Sequence, residues 1–313
     1  MAQPYATCSA AQLAERAAPL AWLAEGLFLQ GGAGILGGAP KSLKSYFALD
    51  LCVAVATASP CAGRFCVPSA GPVLVLNAED PDAVVVERLT ALGRARGRSL
   101  AQLCIDLIVE PGVRLPEGLD RLIATVTAVR PKLLVLDPLI RLHRADENSS
   151  TEMSVILDGL RSLARDTGTS LLLVHHARKA PAGSAGAALR GSSDLWAFGD
   201  TNLYLRKVVQ PDILELRIEQ RACVNPPPLR LALSATDATA CFQILPDEVT
   251  DPNLANDVLQ ALTGAHAPVA AARLRQQLGV RNQSLADALR RLAEQGRIRR
   301  DGRSGWSLAE PAT

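Results

Sequence analysis

The segment whose residue types most clearly indicate ligand binding lies between a short apolar run and a long one. It reads Gly38-Ala39-Pro40-Lys41-Ser42-Leu43-Lys44-Ser45. In loops of this composition successive backbone N–H groups point into one concavity, and the positive end of the following helix adds to the field. The Lys44 ammonium would contact the terminal phosphates of a nucleotide, and the Ser45 hydroxyl would bind the accompanying Mg²⁺. We therefore predict that all eight residues form a phosphate site.

The segment departs from the usual phosphate-loop pattern at one position. Such loops carry glycine directly before the lysine, whereas this chain carries Leu43. Because a bulky side chain disfavours a positive φ, we expect Leu43 to avoid that conformation, with the loop reshaped or the phosphate seated differently. Taken alone, the segment is equally compatible with an ordinary turn rich in glycine and lysine.

Polar side chains follow three further apolar segments that are typical of strands. One segment ends directly before Asp137, one ends two residues before Glu79, and one leads into His175 and His176. Because the carboxyl ends of parallel strands share one edge, we expect these groups to converge on the phosphate loop. Asp137 would hold Mg²⁺, Glu79 would deprotonate the attacking water, and His176 would contact the γ-phosphate. The alternatives are strand-end caps or turn residues for the acids and a satisfied, partly buried pair for the histidines.

Strands and helices alternate along most of the chain. Buried strands are predicted at 73–76, 105–109, 133–136 and 170–174, and helices at 46–58, 81–97, 117–129 and 151–166. Asp80 and Pro81 have the residue types of a helix cap and a first helical position. The alternation indicates an α/β fold with a mostly parallel sheet and helices on both faces. Later segments at 202–207, 213–219 and 229–233 are expected to form antiparallel strands.

The composition limits the class of protein. A chain of 313 residues, with 48% hydrophobic and 20% charged residues, can build a large and a small domain and is not disordered throughout. No apolar run approaches 18 residues, and the first residues lack a basic segment followed by an apolar run. We therefore predict neither a membrane span nor a secretory signal, and we expect a cytoplasmic location. The seven cysteines indicate buried reduced thiols. Cys61 and Cys66 lack the second pair that a zinc site requires.

Changes in composition predict four regions. They are a helical appendage at 1–21, which is a candidate oligomer contact, a core at 22–245, a linker at 246–253 and a module at 254–313. The last region contains nine arginines and five acidic residues and so carries +4, whereas the whole chain carries +2. Such an uneven charge suggests a polyanionic partner.

The module at 254–313 shows the pattern of three short helices followed by a hairpin at Asp301-Gly302. This order predicts a small α+β winged-helix domain, in which the third helix enters a DNA major groove and the wing contacts the backbone. The candidate DNA-binding residues are Arg290, Arg291, Arg299, Arg300 and Arg303. A protein-docking or structural role for the module is the alternative.

From Trp22 to Lys207 the chain resembles the RecA/DnaB-like ATPases, and within them the RepA-type hexameric plasmid-replication helicases. The similar segments, besides the phosphate loop with Gly37, are Leu76-Asn77-Ala78-Glu79-Asp80-Pro81, Val135-Leu136-Asp137-Pro138-Leu139-Ile140-Arg141-Leu142-His143, Val174-His175-His176-Ala177-Arg178-Lys179 and Arg190-Gly191-Ser192-Ser193. The resemblance implies a RecA-like core in which Lys44 and Ser45 bind phosphate and metal. Glu79 would be the catalytic carboxylate, Asp137 the second-strand acid and His176 the phosphate sensor.

The resemblance also implies a ring with the nucleotide between subunits and an arginine supplied by the neighbour. The corresponding position falls near Asp200, which cannot serve, and the nearest substitutes are Arg190, Arg206 and Lys207. Arg206 is a candidate catalytic residue for this role, which stays open among the three, and a solvated surface residue is the alternative for each. A cation supplied between subunits can raise the hydrolysis rate by ~10³–10⁵.

Two loops, at 143–150 and 177–191, could meet single-stranded DNA in the channel of such a ring. The second carries Arg178, Lys179 and Arg190 among small residues, which suits contact with phosphates without base reading, although a solvent loop has the same composition. The hypothesis is therefore an Mg-ATP-hydrolysing motor that acts on DNA as an oligomer, with a hexamer as the candidate ring. The alternatives are an ATP-switched DNA-binding regulator or loader without unwinding activity and a nucleotide-binding scaffold with little hydrolysis.

Overall fold

The computed structural model describes residues 5–110, 112–147, 149–176, 193–208, 213–245, 252–265, 267–280, 282–302 and 305–309. The chain divides into two compact units, 1–245 and 246–313. Within the described ranges, no helix combines the length and the apolar character needed to cross a bilayer.

The first unit is built on a nine-stranded sheet with the order β11-β10-β9-β8-β3-β7-β6-β4-β5. Its strands are β3 (Ala33–Gly38), β4 (Val73–Asn77), β5 (Ile105–Ile108), β6 (Leu133–Asp137), β7 (Ser170–His176), β8 (Thr201–Lys207), β9 (Ile213–Gln220), β10 (Leu229–Ala235) and β11 (Ala240–Ile244). The six strands from β8 to β5 are mutually parallel. The remaining strands pair antiparallel beyond β8. The mostly parallel α/β sheet predicted from the sequence is thus confirmed.

Helices cover both faces of this sheet. They are α2 (Lys44–Thr57), α3 (Asp82–Arg94), α4 (Leu119–Val129), α5 (Ser150–Thr167) and α6 (Ser193–Phe198). Successive side chains of a strand point to opposite faces. Val73 and Val75 accordingly pack with Phe47 of α2 in one buried cluster, whereas Leu74 and Leu76 belong to a second cluster with α4 and α5.

Several predictions for this unit differ from the structure. The segment 202–207, predicted as an antiparallel strand, forms β8, which pairs parallel with β3 and antiparallel only with β9. The predicted cap at Asp80 is wrong, because α3 begins at Asp82 with Pro81 as its N-cap and Asp80 instead pairs with Arg88. The hairpin of β1 (Trp22–Ala24) and β2 (Phe28–Leu29) was not predicted, since strands of three and two residues show no periodicity.

The N-terminal segment contains α1 (Ala10–Arg16), which has no buried residue. Its start is fixed by a capping box, in which Ser9 and Gln12 bond reciprocally to each other's backbone. The helix is therefore held by local hydrogen bonds and not by packing.

The second unit contains α7 (Pro252–Thr263), α8 (Ala271–Leu278) and α9 (Asn282–Glu294), followed by the antiparallel pair β12 (Ile298–Asp301) and β13 (Gly305–Leu308). It has its own apolar core, which includes Val258, Leu274 and Leu289. The unit thus contains helices and a hairpin around one core, and its assignment as a winged helix stays a prediction.

Candidate functional site

The sheet order brings the predicted site residues to one edge. Strands β3, β7, β6 and β4 are neighbours, and in register Gly38 lies beside His176 while Asn77 lies beside Asp137. The Ala78 amide donates to the Asp137 carbonyl over 2.8 Å, so the chain beyond β4 is fixed to the end of β6. The expected convergence of the strand ends is therefore present in the fold.

The phosphate loop joins the end of β3 to the start of α2. A Cβ at Gly38 would lie 2.3 Å from the Leu205 carbonyl oxygen and 2.8 Å from Ser42 Oγ, so only glycine fits there. Ser42 is almost fully buried, and its hydroxyl has no hydrogen-bond partner in the described structure. A buried, unpaired hydroxyl in a concave loop is suited to a polar ligand such as a phosphate oxygen.

Leu43 does not behave as the sequence suggested. It adopts φ +62° and ψ +23°, the left-handed conformation, and Lys41 shares this region with φ +61°. The expectation that a bulky residue avoids positive φ here is therefore wrong. The Leu43 side chain packs against the main apolar cluster, and this burial offsets a backbone strain of about 1–2 kcal/mol. The loop thus has two non-glycine left-handed positions separated by one residue, Lys41 and Leu43, directly before Lys44.

Lys44 is the first residue of α2 and is only 4% exposed. Burial lowers its pKa from 10.5 to about 8, while the nearby Asp137 and Glu79 carboxylates oppose this change. Its Nζ donates to the Ala39 carbonyl over 2.9 Å, within the loop itself. A desolvated ammonium with one weak acceptor gains strongly from an anion.

Asp137 ends β6 and is 8% exposed. Burial raises its pKa from 3.8 to about 6; a hydrogen bond from Ser45 opposes this rise, and the Asp80 carboxylate adds to it. The two predicted metal ligands, Ser45 and Asp137, therefore lie in contact. A hydroxyl and a buried carboxylate with further acids nearby are the donors that Mg²⁺ uses together with phosphate and water. In the described ranges, no group of three or more His, Cys, Asp or Glu side chains could hold a metal ion without such additional ligands.

Glu79 and His176 form a pair at the open side of the site. Glu79 Oε2 lies 3.3 Å from His176 Nε2, and the side chains are 45% and 35% exposed. Asn77 shapes the turn before Glu79, because its side chain both donates to and accepts from the backbone of Asp80. The predicted water activator and the predicted phosphate sensor therefore touch each other, and water can reach both.

Three side chains near this site were not assigned from the sequence. His175 faces away from His176, and its Nδ1 lies 3.5 Å from Glu147 Oε1, which is 3.9 Å from His143 Nε2. Burial lowers the pKa of both histidines, that of His175 to about 4. Long separations along the chain hide this grouping from sequence patterns.

Arg206, one of the candidates to act on a neighbouring subunit, is the last residue but one of β8 and lies at the same sheet edge as Gly38. Its guanidinium is 2.7 Å from Glu215 in the same chain, and its side chain is 58% exposed. Asp200 lies at the opposite edge, where it accepts a hydrogen bond from the Ala33 amide and lies within 4 Å of Arg161 and Arg221. The role of Arg206 between subunits stays a prediction.

The predicted DNA contacts fall into two groups. Arg178, Lys179, Arg190 and Arg303 lie outside the described residues. The others are exposed side chains of the second unit, and they are Arg290, Arg291, Arg299 and Arg300. Among their contacts are Arg290 with Asp287, Arg299 with Asp301 at 3.4 Å, and Arg300 above the Trp306 ring at 5.9 Å. Their function stays a prediction.

Comparison with known proteins agrees with the fold of the first unit. The AAA_25 family of AAA domains matches residues 2–182, which is more than half of the chain. Among solved structures, the ATPase domain of G40P has a TM-score of 0.55 and 16% identity, with 69% of this chain and 86% of that one covered. A DnaB-like replicative helicase, described with its interactions with primase, has a TM-score of 0.51 and 17% identity. The match covers 68% of this chain and 57% of that helicase chain, and at such identities the likeness concerns the fold. The chain belongs to the AAA domain family and has the RecA-like fold of DnaB-type P-loop ATPases.

Proposed function

We propose that this protein hydrolyses Mg-ATP and acts on DNA as an oligomer, as a helicase-like motor of the RepA type. The observation that carries the proposal is the convergence of Lys44, the Ser45–Asp137 pair and the Glu79–His176 pair on one sheet edge. An ordinary turn rich in glycine and lysine gives no reason to bury an ammonium beside carboxylates.

Each side chain has a distinct role in this proposal. Lys44 would bind the β- and γ-phosphates, because its desolvated ammonium forms no ion pair with any carboxylate among the described residues. Ser45 and Asp137 would hold Mg²⁺, which neutralises charge on the phosphates. Glu79 would take a proton from water while the water oxygen attacks the γ-phosphorus and the bond to the bridging oxygen breaks, so that ADP and phosphate leave.

His176 would report the presence of the γ-phosphate. Its imidazole is already in contact with the Glu79 carboxylate, so a γ-phosphate beside the attacking water would compete for the same nitrogen. The chain that follows His176 is the proposed DNA loop at 177–191. A change in the position of this imidazole would therefore act directly on the start of that loop.

Measurement of phosphate release with and without single-stranded DNA tests the proposal. Glu79→Gln should lower hydrolysis by about 10²–10⁴-fold with Mg-ATP affinity retained, because the amide cannot accept the proton. Glu25→Gln is the matched control, since it changes an exposed glutamate away from the site and should leave the rate unchanged. Absence of any Mg²⁺-dependent affinity for adenine or guanine triphosphates, in every assembly form, contradicts the proposal.

The second unit would add affinity for duplex DNA through its exposed arginines. Because this unit is compact and has its own core, its removal should leave the first unit folded. We expect deletion of residues 254–313 to weaken duplex binding while basal ATP hydrolysis is retained. Unchanged affinity for duplex DNA in the truncated protein refutes the role of this unit. A protein that binds ATP and DNA in this way would act in the cytoplasm.

One observation favours a second candidate, an ATP-switched DNA-binding regulator or loader. Arg206 is engaged by Glu215 in its own chain, and without a cation from a neighbour hydrolysis would be slow, as in a switch. Separation of a forked duplex in the presence of Mg-ATP distinguishes the two candidates. Rapid DNA-stimulated hydrolysis without strand separation supports the regulator.

A further inference from the structure

A short turn at residues 78–81, the glutamate turn, joins β4 to α3 and carries Glu79. The Glu79 side chain is 45% exposed and contacts His176, which is also partly exposed. A side chain with this much exposure keeps part of its rotamer freedom, so packing alone does not fix the direction of the carboxylate. The backbone of the glutamate turn must therefore determine where the carboxylate lies.

Asn77, the last residue of β4, closes the glutamate turn with its side chain. Its Oδ1 atom accepts from the Asp80 amide over 3.2 Å, and its Nδ2 atom donates to the Asp80 carbonyl over 2.5 Å. Asparagine forms turns of this kind because its short amide side chain reaches the backbone of a residue soon after it. Both polar atoms of the side chain thus bind the main chain of Asp80, and Glu79 is enclosed between the two residues.

The two ends of the glutamate turn are attached to separate elements of the site. At the start, the Ala78 amide donates to the Asp137 carbonyl over 2.8 Å. At the end, Asp80 pairs with Arg88 of α3 over 2.5 Å. The Arg88 guanidinium lies 5.4 Å from the centre of the Tyr46 ring on α2. The turn is therefore attached to the end of β6 and, through α3, to the helix that follows the phosphate loop.

An amide on a short side chain is needed to make both hydrogen bonds of Asn77. Aspartate would lose the donor and, because position 77 lies beside Asp137 in register, would add a charge near a buried carboxylate. Alanine would lose both bonds, whereas glutamine carries the same amide on a side chain that is one methylene longer. Substitution at this position can therefore separate the geometry of the turn from the polarity of the side chain.

We propose that Asn77 is a positioning residue that directs the Glu79 carboxylate towards the attacking water. The proposal rests on the proposed function, since Glu79 acts as a base only beside a bound γ-phosphate. A general base must lie within hydrogen-bond reach of its water, and a displacement of about 1 Å can cost about 10²-fold in rate. Asn77 acts through the turn and not through contact with the nucleotide, because Asp80 engages both of its polar atoms.

Steady-state hydrolysis and nucleotide affinity of the full-length protein test this role. We expect Asn77→Ala and Asn77→Gln each to lower kcat for Mg-ATP by about 10- to 100-fold, because neither side chain closes the turn. The KM and the Kd of a non-hydrolysable Mg-ATP analogue should change by less than about 2-fold, since the phosphate loop and the predicted metal ligands are unaltered. Asn77→Ser should retain an intermediate kcat, because a hydroxyl forms the same kind of turn more weakly.

A double-variant cycle separates positioning from a general loss of structure. The Glu79→Gln variant lacks the base, so the addition of Asn77→Ala should change its residual rate by less than about 2-fold. An equal loss in both backgrounds means that Asn77 supports the site as a whole, and it refutes the positioning role.

Asn225→Ala is the matched control. Asn225 also binds the backbone of a nearby residue, since its Oδ1 accepts from the Gln220 amide over 2.6 Å. Gln220 lies beside Thr201, at the sheet edge away from the phosphate loop. This variant loses a similar hydrogen bond and should keep the wild-type kcat.

The outcomes distinguish this role from the proposed function. If Asn77→Gln keeps the wild-type kcat, or if Asn77→Ala weakens analogue binding as much as it lowers kcat, only the positioning role is refuted. Thermal unfolding identifies a variant that does not fold, and the decision then comes from Asn77→Gln and Asn77→Ser. If the wild-type protein neither binds nor hydrolyses Mg-ATP, the proposed function itself fails, and the role of Asn77 with it.

Discussion

Replacement of Asp137 by asparagine should stabilise the protein in the absence of nucleotide while abolishing hydrolysis. The Asp137 carboxylate is buried, and its pKa is raised from 3.8 to about 6, mainly because burial disfavours the ionised form. Above pH 6 the folded protein therefore holds an unfavourable charge that the unfolded chain exposes to water. Asparagine has nearly the same shape and can keep the contact with Ser45, but it carries no charge.

The pKa change sets the size of the effect. A displacement from 3.8 to about 6 corresponds to about 3 kcal/mol of stability that is present below pH 4 and is lost as the pH rises through 6. Part of the gain in the variant is offset because Lys44 loses a nearby carboxylate. We therefore expect about 1–3 kcal/mol of stabilisation at pH 7.5. For a unit of this size that is about 2–12 °C in the unfolding temperature.

Thermal unfolding in the presence of a chelator and without nucleotide measures this effect. The difference between Asp137→Asn and wild type should be largest above pH 6, should shrink as the pH falls through 6, and should vanish below about pH 3, where the carboxyl is protonated in both states. Asp158→Asn, at an exposed position, should stay within about 0.5 kcal/mol of wild type. Addition of Mg-ATP should raise the unfolding temperature of wild type more than that of the variant. A lower unfolding temperature for Asp137→Asn at pH 7.5 refutes this reasoning.

Three further variants test other parts of the structure. In thermal unfolding, the Leu43→Gly variant should be more stable than the Leu43→Ala variant by about 1 kcal/mol. Both variants lose the leucine packing, but only glycine adopts the φ of +62° without strain. The reverse order of stability contradicts the observed backbone. Asp50→Ala should destabilise the first unit by about 3–5 kcal/mol in urea unfolding, because it leaves the largely buried Arg96 guanidinium without its carboxylate partner. A loss of stability below about 1 kcal/mol refutes this. Arg206→Ala should lower hydrolysis by ~10³–10⁵ if it acts between subunits. Mixing that inactive variant with inactive Lys44→Ala should then restore phosphate release, and no recovery excludes the inter-subunit role.

Some features of the site could be predicted because they depend on local patterns. The strand ends before Asp137 and Glu79 follow from apolar runs that stop at a polar residue, and parallel pairing then places them at one edge. The parallel pairing of β8 could not be predicted, since its residues alternate in the same way whichever strand lies beside them. Leu43 was misjudged because the packing of its side chain outweighs its backbone preference.

Other features depend on contacts between distant residues and leave no local pattern. Glu147 lies near His175 only because β6 and β7 are adjacent, and their separation along the chain carries no signal of this. Asp80 has the residue type of a helix cap, but an ion pair with Arg88, eight residues later, fixes it instead. Sequence patterns identify which side chains reach the edge of the sheet, and tertiary packing decides what each of them touches.

The distribution of unfavourable features gives an argument for function that does not depend on resemblance. Four unfavourable features lie within one loop and the strand end beside it. They are the left-handed backbone at Leu43, the desolvated Lys44 ammonium, the buried Asp137 carboxylate and the Ser42 hydroxyl, which has no hydrogen-bond partner among the described residues. The extensive apolar clusters on both faces of the sheet stabilise the fold against these features. An anion that accepts from the ammonium and the hydroxyl, together with a cation beside the carboxylate, would relieve all of them except the backbone strain. These features support the proposal that the site binds an anionic ligand together with a divalent metal, because such a ligand would offset unfavourable features that the fold places there.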